Sequence, residues 1–132
     1  MVAVIFVDNG TELVSDALLT LVGASVTASG FYVGWGTGGS STGGTATNTD
    51  VDLEAPATEA RVSTTGESQS AADTDQWIGT LTAVGTAKTI EEAGLYIDAT
   101  GTATDMIIRA NHGGVALATE DAIEYTFQLQ QT

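Results

Sequence analysis

The sequence predicts a mainly β protein, a β-sandwich or jelly-roll-like single domain over residues 1–132 with one short N-terminal amphipathic helix. From Gly30 onward, short apolar runs alternate with clusters of Gly, Thr, Ser and Asp, the pattern of short strands joined by turns. The last run alternates residue by residue. Ile123, Tyr125, Phe127 and Leu129 fall on one face, and Glu124, Thr126, Gln128 and Gln130 on the other, which gives one buried and one wet side. A convincing helical period occurs only once, ahead of residue 24.

Taken in order, Val2 to Val7 are β-branched or aromatic and read as a short buried strand ending at the turn signal Asp8-Asn9-Gly10. Asn9 can cap the helix that follows, with Glu12 three residues on as in a capping box. Leu13, Ala17, Leu18 and Leu21 share one face, and Gly23 stops it, so strand and helix occupy 1–23. The sandwich proper spans 30–132, with strands near Phe31 to Trp35, Ala60 to Thr65, Gln76 to Val84, Thr89 to Ile97, Met106 to Ala110 and Ile123 to Gln130. Two stretches, 36–49 and 66–75, hold too few apolar residues to offset their ordering entropy and read as flexible exposed loops.

A chain of 132 residues can bury a core without staples, and it has no Cys, hence no disulfide, thiolate nucleophile or Cys-based zinc site. Seventeen Asp and Glu face three cations, Arg61, Lys88 and Arg109, for a formal net charge of -14. Binding to phosphate backbones needs clustered Lys and Arg, so nucleic acid is excluded as an expected partner. High ionic strength screens such self-repulsion, and the charge points to a salt-loving source; a solubility-selected acidic protein is the plain alternative. The opening run is too short to cross a bilayer and lacks a basic start, and no later stretch approaches a membrane span, so membrane insertion is not expected.

Chemistry-bearing patterns are few. His112 is the one histidine and precedes Gly113-Gly114 in what reads as a turn. No G-x-S-x-G elbow sets a Ser against it, so a turn or interface histidine is the ordinary reading. Gly34-Trp35-Gly36-Thr37-Gly38-Gly39 has neither the Lys nor the following helix of a phosphate loop. Asp50, Asp52 and Glu54 fall on one side of an extended segment and could hold Ca²⁺ or Mg²⁺, although the EF-hand spacing fails; the alternative is a solvated acidic face. No other cofactor is indicated. Arg61 and Arg109 lie inside strands, where Glu59, Glu91 or Glu92 could pair with them to fix strand register or a subunit contact. Tyr32, Trp35 and Trp77 are candidates for stacking on a sugar, the first two at a surface recognition site, and each has core filling as its alternative.

The ordered string of these signals resembles a known class. A helix with Leu13 to Leu21 leads into Tyr32-Val33-Gly34-Trp35-Gly36-Thr37-Gly38, a Thr-rich loop, and then Asp50, Leu53, Glu54 and Arg61. There follow Thr89-Ile90-Glu91-Glu92-Ala93-Gly94-Leu95-Tyr96, a turn at Gly101, Met106 to Arg109, and the alternating strand after Glu120-Asp121. This order is similar to the small β-rich virion structural proteins of tailed viruses, of the capsid decoration, head-fibre or tail-fibre type. The chain carries fewer Lys and Arg than that class, as suits a virus of a halophilic host such as a haloarchaeon.

The resemblance implies a component of the virion surface. The first expectation is a homo-oligomeric capsid decoration or turret protein, bound to the major capsid protein, that stabilises the shell or displays host-contact loops. The alternative is a tail, baseplate or fibre component that binds a host-surface receptor such as a glycan. A third class, a small hydrolase or metal-dependent enzyme using Asp50, Asp52, Glu54 and His112, would lose activity to a chelator and to His112→Ala. The expectation is that the chain is not an enzyme.

Overall fold

The computed structural model describes residues 3–8, 10, 30–39, 44–71, 74–100 and 106–130. It is mainly β. Strands β1 (Ala3–Phe6), β2 (Tyr32–Gly36), β3 (Val62–Ser63), β4 (Gly66–Ala71), β5 (Thr74–Thr82), β6 (Lys88–Tyr96), β7 (Met106–Leu117) and β8 (Ala122–Gln130) form two antiparallel sheets. The larger has the order β1-β7-β6-β2-β3 and the smaller β4-β5-β8. Of the helix expected to follow Asn9 and stop at Gly23, all but Gly10 lies outside the described residues.

Register sorts the larger sheet's side chains into two rows. Val33 sits opposite Leu95 and Leu95 opposite Ile108; Trp35 sits opposite Ala93 and Ala93 opposite Ala110. These apolar residues join Leu81 of β5 and Phe127 of β8 in one cluster that takes members from both sheets. Burying the larger of these side chains contributes roughly 1.5–3 kcal/mol each. On the other face, Gly34 sits opposite Gly94 and Gly94 opposite Arg109, while Gly36 sits opposite Glu92 and Glu92 opposite Asn111. That row carries glycine and charge.

Three elements depart from the sequence reading. Of the stretch 66–75, expected as a loop, residues 66–71 are instead β4 and 74–75 the start of β5, with Gly66 opposite Ile78 and Gln69 opposite Asp75. Its residues are polar without alternation, so periodicity gave no signal, and the pairing with β5 supplies the backbone hydrogen bonds. His112-Gly113-Gly114, expected as a turn, lies inside β7, which runs on to Leu117. Four steps of β7, from Asn111 to Val115, face two of β6, from Glu92 to Ile90, so these glycines mark a bulge. The strand expected over Ala60 to Thr65 is β3, only two residues long.

Candidate functional site: a polar cluster under a strap

The glycine and charge row of the larger sheet is covered by residues 44–61, a strap without regular structure apart from an isolated bridge between Pro56 and Gly36. Thr37 N–H donates to Ala55 O at 2.9 Å and Ala57 N–H to Trp35 O at 3.0 Å, which ties the strap to the end of β2. Beneath it Glu92 is fully buried and Arg109 is 2% exposed. A buried charge is tolerated only when paired and hydrogen-bonded.

Glu92 meets that requirement from two directions. Arg109 Nε and Nη2 converge on Glu92 Oε2 at 3.1 and 2.9 Å, and the strap's backbone amides of Glu54 and Ala55 donate to its Oε2 and Oε1 at 3.0 and 2.8 Å. Arg109 also reaches the strap, donating from Nη1 to Asp50 Oδ2 at 2.6 Å and from Nη2 to Gly44 O at 3.4 Å. Burial by itself would raise the Asp50 carboxyl, but hydrogen bonds from the Thr47 amide and hydroxyl and from Arg109 outweigh it and hold the group below its ordinary value. Asn111, also buried, accepts from the Ala46 amide through Oδ1 and has no partner at Nδ2 among the described residues.

The glycine-rich run that superficially resembles a phosphate loop makes this packing possible. A Cβ on Gly36 would lie 2.5 Å from Glu92 Oε1 and 2.6 Å from Ala55 O; one on Gly38 would lie 2.6 Å from Glu54 Cβ and 2.7 Å from Glu92 Oε1. Glycine here is the space occupied by a carboxylate and a crossing backbone.

Farther along the same face, the Tyr96 ring lies over the paired glycines Gly34 and Gly94, and Arg61 stacks on it with Cζ 3.3 Å from the ring centre. Tyr96 Oη donates to Asp52 Oδ1 at 2.9 Å, and Arg61 reaches the same oxygen at 3.7 Å and Asp98 O at 3.2 Å. Burial and then the Asp52 charge push the Tyr96 hydroxyl well above its ordinary range. A third group, unanticipated from sequence, joins Glu59 to Lys88, to Trp35 Nε1 at 3.3 Å and to the Val84 amide at 2.9 Å. Burial opposes ionisation of Glu59, but Lys88 and the other donors prevail and lower its carboxyl to about 2.

The expected site residues therefore separate. Asp50 turns to Arg109, Asp52 to Tyr96 and Arg61, and the Glu54 side chain is exposed while its backbone binds Glu92. Among the described residues no three Asp, Glu or His side chains gather closely enough to hold a metal ion. Arg109 pairs with Glu92, whereas Arg61 pairs with an aspartate of the strap, and Glu91 packs by Gly39 and Gly114. Trp35, expected at a recognition surface, is 2% exposed with its ring in the shared core, and half-buried Tyr32 packs against the cluster of Leu53 and Tyr96. Trp77, on β5, is half-buried against Phe31. His112 has Nδ1 2.8 Å from Gly113 O and Nε2 2.9 Å from Tyr125 Oη; a carbonyl only accepts, so in the neutral ring Nδ1 carries the proton and Tyr125 donates to Nε2.

What the arrangement does chemically is hold: all three cations of the chain bind carboxylates within the fold. It defines a β-rich protein with a fastened polar strap. No family model matches the chain, and neither a curated protein nor a solved structure matches it.

Proposed function

We propose that this chain is a virion structural protein, a capsid decoration or turret component built as a two-layer β-sandwich, whose work is adhesion and display. The observation that carries the reading is that Arg61, Lys88 and Arg109, with Asp50, Asp52, Glu59 and Glu92, are engaged in fastening the molecule to itself. In these pairs the charged groups satisfy one another within the fold. A rigid body with an acidic surface suits attachment through many weak contacts.

Burial of Trp35 removes one of the side chains that favoured sugar stacking, and decoration therefore stands ahead of receptor binding. The formal charge of -14 supports a high-salt setting, where carboxylate repulsion between subunits is screened. Oligomer mass by light scattering should rise from low to molar salt; a mass that stays constant contradicts the halophilic assembly reading.

Immunogold labelling of intact particles from the source culture, with antibody raised to the recombinant chain, tests the function. Label over the head surface supports decoration. Label confined to the tail replaces it with a tail or fibre role, and unlabelled particles overturn any virion role.

A further inference from the structure

Among the described residues the smaller sheet ends at β8, which is hydrogen-bonded to β5 along one side. Beyond β8 lies an open cleft of about 590 Å³ between the two sheets, lined by Ile123, Tyr125 and Phe127 of β8 and by Val4, Ala110 and Val115 of β1 and β7. Val4, 56% exposed, and Val115, 41% exposed, give the cleft an apolar rim open to solvent. His112 and Tyr125 bridge the sheets at this cleft.

A sheet edge presents unpaired N–H and C=O groups that template another strand. A strand laid beside β8 would direct alternate side chains to the same face as Tyr125 and Phe127, into the cleft. Its remaining side chains would flank Glu124, Thr126 and Gln128, all exposed, with Glu120 and Asp121 at the start of the strand. That row favours a cation. A second copy of this chain cannot provide one, because its three cations are held in internal pairs.

We propose that the β8 edge and its cleft receive an extended segment of a basic partner protein, apolar at every second position with Lys or Arg between. The inference needs only the cleft and the charge, so it stands or falls separately from the virion reading.

The test is an NMR titration of the full chain, at low salt, with a peptide alternating Lys and Val over the nine-residue length of β8. Saturable binding is expected, with amide shifts confined to β8, β1 and the end of β7. Val4→Glu and Val115→Glu, both at exposed positions, should each weaken binding about tenfold with the fold retained by circular dichroism. The same peptide with alternate backbone nitrogens methylated should not bind. Absence of saturable binding, equal binding by a Glu-Val peptide, or shifts elsewhere overturns the proposal. So does slow exchange of both sides of β8 before any peptide is added, which would mean that the chain itself or a second copy already fills the edge.

Discussion

The larger sheet buries its two faces by different means. The inner face, with Val33, Trp35, Ala93, Leu95 and Ile108, packs against Leu81 and Phe127 of the smaller sheet by apolar contact. The outer face, with Glu92, Gly94, Tyr96 and Arg109, is covered by an irregular strap whose backbone is bonded to charged side chains. Apolar burial is non-directional and tolerates repacking, whereas charge-assisted hydrogen bonds demand particular atoms at particular distances. The strap has no strand ladder to satisfy its amides, so the sheet supplies a carboxylate for them. The contrast teaches that an irregular segment can be fixed over a sheet by buried charge when glycines open the room.

The largest expected effect breaks the outer face alone. Glu92→Ala leaves Arg109 buried with only Asp50 as a charged partner and strips the Glu54 and Ala55 amides of their acceptor, and should cost about 3–5 kcal/mol in urea unfolding. A loss below about 1 kcal/mol would mean that the strap is held by something else.

Acid should distinguish the faces next. Glu59 has a folded pKa of about 2 against an ordinary 4.5, so its contribution is fully present above pH 4.5 and is lost as pH falls toward about 2, with an upper bound of about 3 kcal/mol. Asp50, also lowered, acts in the same direction. Unfolding followed across that window should show a steeper decline for the natural chain than for Glu59→Gln. Equal slopes would remove Glu59 as a source of acid sensitivity.

Gly36→Ala loads the outer face without removing a charge. The added methyl meets Glu92 Oε1 and Ala55 O, for an expected loss of about 1–3 kcal/mol by thermal unfolding. The smallest effect is expected of Tyr96→Phe, which keeps the ring beneath Arg61 and deletes the bond to Asp52, at about 1 kcal/mol by the same assay.

The inner face was legible in the sequence because its physics is periodic. Alternation in Ile123 to Gln130 gave β8, which has Phe127 buried and Glu124, Thr126 and Gln128 exposed. The outer face was only half legible. Arg61 and Arg109 stood out as cations inside strands with Glu59, Glu91 and Glu92 as candidate partners, but Asp50 was read with Asp52 and Glu54 as one carboxylate row. Alternation places residues on one side of an ideal strand, and the strap is not a strand, so the three diverge. The glycine run announced close approach without saying of what. The Glu59 and Lys88 pair, 29 residues apart, and the burial of Trp35 in the core cluster depend on tertiary contacts that no local pattern encodes. β4 was missed because its residues are polar on every side, and Gly113-Gly114 was read as a turn because a bulge and a turn share the same residue signal.

Hydrogen exchange at the Glu54 and Ala55 amides tests most directly the claim that buried charge fastens the strap. These amides belong to no strand and donate to Glu92. They should exchange as slowly as the core amides of β6 in the natural chain and lose that protection in Glu92→Gln while β6 keeps its own. Fast exchange in the natural chain, or protection that survives Glu92→Gln unchanged, would contradict the account.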